Sequence, residues 1–440
     1  TLAASNVSGK LDAKATTGTI GVSGVITGGT DIILRGDAIS IGNTVNANSG
    51  AANVYLLPVT GGTGVSIGGS STFDLTQVEL LNITAGTIVV GEDDIPTVSA
   101  GAVSICSLAN VDIGTRNIKI SGTDIDAGAY TLTTSGSMEL VSTGSINGTD
   151  DSTAELSADT LTLTAQFGGI GTTSVLEVSA SKVLNADSSA DASDITIDGI
   201  GDLPIGNITA GGGTVTINVT GAIDDATLDG VTDITAGIID LDAVNGIGAT
   251  NPIETSAPTL DADTTGSGAA SIDIDNYSAV ATELESFSTF GTGANITFDQ
   301  SGGGTLTLTS VTTTNGIVDV SAASGNIIAT SVTAGGSNNI LLDTTTSGNI
   351  TLGALDASGD AIIINSAGAI NDATLDAITD LIAATLNLDA VNGIGNMEEI
   401  ETAASSIAAD NSGAAAVDID NNNVVATSIT SISTAGSTIS

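Results

Sequence analysis

Carboxylates are the main reactive groups this chain offers, and their spacing points to cation binding before catalysis. Asp273-Ile274-Asp275-Asn276 recurs as Asp418-Ile419-Asp420-Asn421, and Asn422 and Asn423 add further oxygen donors. On a strand, alternation sends both Asp side chains to one outer face while the Ile turns inward. Stacked copies of such a face gather oxygens, and Ca²⁺ takes about six to eight of them. Asp273, Asp275, Asn276, Asp418, Asp420 and Asn421 are therefore the candidate calcium ligands. The competing reading is a solvated acidic face or a turn ladder of Asn and Asp.

Acid–base and nucleophilic chemistry have fewer resources. The chain has no His and a single Cys, Cys106, so Ser-His-Asp, Cys-His and zinc-ligand sets cannot be assembled. Adjacent pairs at Asp93-Asp94, Asp150-Asp151 and Asp224-Asp225 offer the two carboxylates a glycosidase needs, and Arg116 and Lys119 put two bases close together. Sugar-cleaving β-helices also grip substrate with aromatic and basic side chains, and five Phe, three Tyr and no Trp supply little. Asp224-Asp225 returns as Asn371-Asp372, losing one carboxylate, which fits a turn. No catalytic residue is assigned. Gly61-Gly62-Thr63-Gly64 and Gly302-Gly303-Gly304 precede strands and read as turns, and Cys106 reads as a small buried hydrophobe within an alternating strand.

The elements that carry these residues follow a rhythm. Ile296, Val318, Ile340 and Ile362 fall 22 residues apart, and Leu306, Ile328 and Ile350 repeat at the same interval between them. Each centres a short alternating run, such as Asn295-Ile296-Thr297-Phe298 or Ala361-Ile362-Ile363-Ile364. A fixed period of about 20 residues made of strands and Gly/Asn/Ser turns marks a β-solenoid, each period one coil stacked on the last. The expected fold is all-β, an elongated right-handed parallel β-helix of about 20 coils of ~22 residues. Hydrophobic residues make up 41%, mostly Ile, Val, Leu and Ala, enough for an ordered core without large rings.

A longer repeat overlies the coils. Gly221-Ala222-Ile223-Asp224-Asp225-Ala226-Thr227-Leu228-Asp229 recurs as residues 368–376, and Leu241 to Gly248 recurs as Leu388 to Gly395, both at an offset of 147. A diverged copy begins at Gly144, offset by 77. The two offsets differ by 70 residues, which matches a block of inserted coils over about 295–365. Residues 1–143 then read as looser N-terminal coils, 144–220 as a first unit, 221–367 as a second with the insertion, and 368–440 as a third ending without a cap. Such an end, at Ser437, Thr438, Ile439 and Ser440, is a candidate surface for self-assembly, because an uncovered strand edge invites pairing. The chain starts at Thr1 with neither Met nor signal sequence, as a processed protein or a piece of a longer one would.

The formal charge is −44, and all six bases lie at or before Lys182. Spread over about 20 coils at ~4.8 Å each, that is one charge per ~2 Å, near the density of duplex DNA. Nucleic acid and anionic surfaces are excluded as partners, and divalent cations are favoured. No stretch reaches 18 apolar residues, so no helical membrane insertion is expected.

The phrase Gly221-Ala222-Ile223-Asp224-Asp225, Asn245-Gly246-Ile247-Gly248, Asn251-Pro252-Ile253-Glu254-Thr255 and Leu260-Asp261-Ala262 resembles the repeat of filamentous-haemagglutinin-like proteins, large secreted bacterial adhesins and surface proteins. Residues 309–317 resemble the shorter repeat of that group. The resemblance covers about 144–440. It implies a right-handed parallel β-helix at the cell surface or outside the cell, serving as part of a filament or giant surface protein. The uncapped end and the acidic repeats, for their part, make further copies or flanking segments of a longer chain and divalent cations the expected partners, with calcium the candidate cofactor. An adhesive module for glycans or a host surface is the alternative, favoured if Tyr277, Phe287 and Phe290 share an exposed patch. A polysaccharide-active enzyme ranks third.

Overall fold

Alternating Ile/Val/Leu with Thr/Ser/Asn/Asp favours strands with one dry face, and Gly- and Asn-rich turns end each run before it can lengthen. The computed structural model describes residues 1–92, 100–374, 376–436 and 438–440. Parallel coils about 22 residues apart stack into a β-solenoid of about 19 turns. Among the described residues, helix is confined to Gln77–Leu81 and a single turn at Asn48–Gly50. The Asp93-Asp94 pair lies outside the described residues.

The chain divides into two units, Thr1–Val219 and Thr220–Ser440. In the second, Ile272, Ile296, Val318, Ile340, Ile362, Leu386 and Ile407 pair in turn from coil to coil, and each is buried. Two residues along, Ile274, Phe298, Val320, Leu342, Ile364, Leu388 and Ala409 make a second inward column in the same register. The 22-residue series through Ile296 is thus one column.

The series through Leu306 needs a correction. Leu306 pairs with Ile327, and Ile327 with Ile350, so the inward residue is Ile327, while its neighbour Ile328 faces outward. One turn is a residue short and the next a residue long. A one-residue slip reverses which face a side chain takes. Large rings also enter the core. Phe73, Phe287 and Phe298 are fully buried, and Phe287 meets Phe298 edge to face at 5.8 Å and 89°, a favoured aromatic geometry.

The first unit has the same design with less regular coils. Its column runs Ile32, Val54, Ile88, Ile118, Met138, Leu161, Leu184, Ile205. The coil between Val54 and Ile88 carries the helix Gln77–Leu81, started by a capping box in which Thr76 and Glu79 satisfy each other's backbone N–H groups. The Arg116 guanidinium donates to the carbonyls of Leu81, Ile83 and Ile113. Lys119 pairs with Glu139 at 2.8 Å. Cys106 sits just past the strand Ala100–Ile105 at φ +51° rather than within it. It is buried, and burial pushes its thiol up to about 12, which leaves it inert.

Candidate metal centres

The strand Ala222–Asp225 alternates so that Ile223 and Asp225 face inward and Asp224 outward. A loop that exposes Leu228 and Val231 then runs to Asp233, which precedes the strand Ile234–Thr235. Glu254 comes from the strand Ile253–Ser256 of the adjoining coil, paired to Ile234–Thr235. Carboxylate oxygens of Asp225, Asp233 and Glu254 lie within 4.8 Å of one another, and all three residues are buried. Asp225 Oδ1 accepts the Thr227 N–H at 2.8 Å, and Asp233 Oδ2 accepts the Glu254 N–H at 3.0 Å. No donor reaches Asp225 Oδ2 or Glu254 Oε2, although both atoms are buried.

The arrangement is rebuilt 147 residues on. Asp372, Asp380 and Glu401 form a second buried triplet. Asp372 Oδ1 accepts the Thr374 N–H at 3.0 Å and Asp380 Oδ2 the Glu401 N–H at 3.2 Å. The loop bonds match as well: Thr227 Oγ1 donates to Asp229 and Thr374 Oγ1 to Asp376, both at 3.0 Å.

The first unit holds a third triplet, Asp151, Glu155 and Glu177, with Asp151 exposed. Glu155 accepts the Thr149 N–H at 2.9 Å and the Glu177 N–H at 2.7 Å, and Glu177 Oε1 accepts the Ser152 N–H at 3.1 Å. Glu177 Oε2 is buried and unpartnered.

Burial dominates the electrostatics. Desolvation pushes the carboxyls of Glu155, Asp233 and Asp380 far above the usual carboxylate range, and each is pushed further by the neighbouring carboxyl of its triplet. Glu254 and Glu401 are raised too, again chiefly by burial. No Lys, Arg or His follows Lys182, so the two triplets beyond it have no basic side chain in their own unit to offset their charge.

The sequence-assigned calcium ligands occupy different places. Asp273 and Asp275 share the outward face, alternating with buried Ile272, Ile274 and Asn276. Burial, then Asp275, Asp299, Asp319 and Glu254, push Asp273 up to about 6. Asn276 faces inward instead. Its amide oxygen accepts from Thr255 Oγ1 at 3.1 Å and Ala257 N at 3.2 Å, and its amide nitrogen donates to Ala257 O, Thr282 Oγ1 and Gln300 Oε1. Asn421 repeats this with Thr402, Ala404 and Thr427. Both amides are occupied by hydrogen bonds, fully buried at Asn276 and half-buried at Asn421. Asp418 accepts from Ser440 Oγ at 2.8 Å, and Asp420 is exposed.

At the other assigned site, Ser437 lies outside the described residues. Thr438 O accepts the Val417 N–H, Ile439 bridges to Val417, and Ser440 O accepts the Ile419 N–H. Tyr277 and Phe290 are exposed while Phe287 is buried, so the three share no surface patch. Asp224 and Asp225 face opposite sides of their strand and cannot flank one glycosidic bond. On an outward face, Asp343, Asn365, Asp389 and Asp410 align from coil to coil along an open groove of about 550 Å³.

Sequence reasoning missed the triplets, although two signals pointed to them. Asp225 follows Ile223 by two residues, which puts it on the inward face. Asp225, Asp233 and Glu254 all recur as carboxylates at the offset of 147, while Asp224 becomes Asn371. The loss of the outward partner makes the pair look like a turn in the sequence. Comparison with protein families, with curated proteins and with solved structures gave no match.

Proposed function

We propose that this chain is a structural segment of an extracellular filament or giant cell-surface protein of the filamentous-haemagglutinin-like kind, a stiff acidic support. The observation that carries this reading is the unbroken inward column from Ile272 to Ile407. Every coil bonds its backbone to the next and buries an equivalent side chain, so stiffness is distributed along the unit. Outward positions are mostly Thr, Ser, Asn and Asp, which keep such a surface soluble. The repeat phrase of 221–262 and its copy add the family likeness.

Electron microscopy of the purified chain, alongside a turnover assay on acidic and neutral polysaccharides, tests the proposal. Filaments built from many chains, with no polysaccharide cleaved, are the expected result. Separate particles at every concentration would overturn the assembly role, and turnover would replace it with an enzymatic one.

A further inference from the structure

We infer that the three carboxylate triplets are built sites for a hard divalent cation, calcium, each fastening one coil to the next. Three buried oxygens, Glu177 Oε2, Asp225 Oδ2 and Glu254 Oε2, have no donor, and their residues are only 1%, 3% and 7% exposed. An unpaired buried carboxylate is among the costliest groups a fold can hold. A single proton shared between Asp233 and Glu254 would leave Asp225 Oδ2 still facing no donor, whereas one cation would satisfy all three side chains.

The donor set is entirely oxygen, which selects calcium or magnesium over softer metals. Two oxygens on one calcium stand at most about 4.8 Å apart, twice a ~2.4 Å bond, and the triplet oxygens lie within that limit. Magnesium needs a tighter octahedron and holds its waters. The ligands of each triplet come from consecutive coils, as with Asp233 beside Ile234–Thr235 and Glu254 on the paired strand. A bound ion would therefore close the 225–233 loop and clamp it to its neighbour. That residues 372–401 repeat the triplet and the loop hydrogen bonds of residues 225–254 together marks the arrangement as one device.

The full chain, stripped with EGTA, is titrated calorimetrically with Ca²⁺ in about 0.15 M NaCl, where diffuse charge attraction is screened. Saturable uptake of three equivalents is expected, one per triplet. It should fall to two in Asp225→Asn/Glu254→Gln and stay at three in Asp240→Asn/Asp242→Asn, which alters only an outward face. Uptake that never saturates, or that is unchanged by the triplet substitutions, would overturn the inference. Should the triplet variant fail to fold, the wild-type stoichiometry decides: three equivalents support the sites, and none removes them. Filament formation is read separately, so either conclusion can fail without the other.

Discussion

Ile327 and Ile328 are identical neighbours with opposite surroundings, one in the core column and one outside. Ile327→Ala should cost about 2–4 kcal/mol, the usual penalty for emptying a packed site. Ile328→Ala should cost under about 1 kcal/mol, as at most surface positions. Urea unfolding of the two variants checks this, and equal losses would mean that the register is wrong. The pair also shows what sequence could convey at this scale. Composition cannot choose between two isoleucines, because the choice depends on turn lengths on either side. The inward facing of Asp225 follows from its place two residues after Ile223 on a strand of period two, but its neighbour Asp224 makes the pair read as a turn. Asp233 and Glu254 were not legible, because a loop and the next coil bring them in, and only their joint recurrence hints at contact.

Turns set the coil length, and several approach one another too closely for a side chain. Gly348 has φ +127°, and a Cβ there would collide with the Gly325 carbonyl oxygen of the coil before. Gly348→Ala should therefore destabilise by about 2 kcal/mol or more, combining backbone strain with the collision. Gly268 has open space around it and an ordinary φ, so Gly268→Ala should be neutral or slightly stabilising. Melting temperatures of the two variants separate these outcomes. Asn residues complete the turns: Asn295, Asn326 and Asn349 each accept, at 2.9 Å, a backbone N–H from the coil above. Strand positions in this region were readable because the 22-residue period is clean there. Before residue 144 the coils vary in length, one even carries a helix, and the period fades from the sequence although the stacking persists.

Across the whole molecule the dominant fact is uncompensated negative charge. Asp261 is pushed up to about 7, first by burial, then by Asp263 on its own strand, Asp240 and Asp242 on one neighbouring strand, and Glu285 on the other. A carboxyl raised in this way is penalised when ionised, so the penalty is complete above pH 7 and fades as pH falls toward the unfolded value of about 4. In metal-free buffer the melting temperature should therefore rise on going from pH 8 to pH 5. Asp261→Asn should raise it at pH 8 and flatten the slope, and a melting temperature that fell on acidification would contradict this account. The in-register parallel columns have a diagnostic consequence as well. Their strand spacing is the ~4.8 Å repeat of amyloid. Oriented samples would diffract with a cross-β reflection, and dyes that recognise stacked parallel strands would stain the healthy native fold as though it were a deposit.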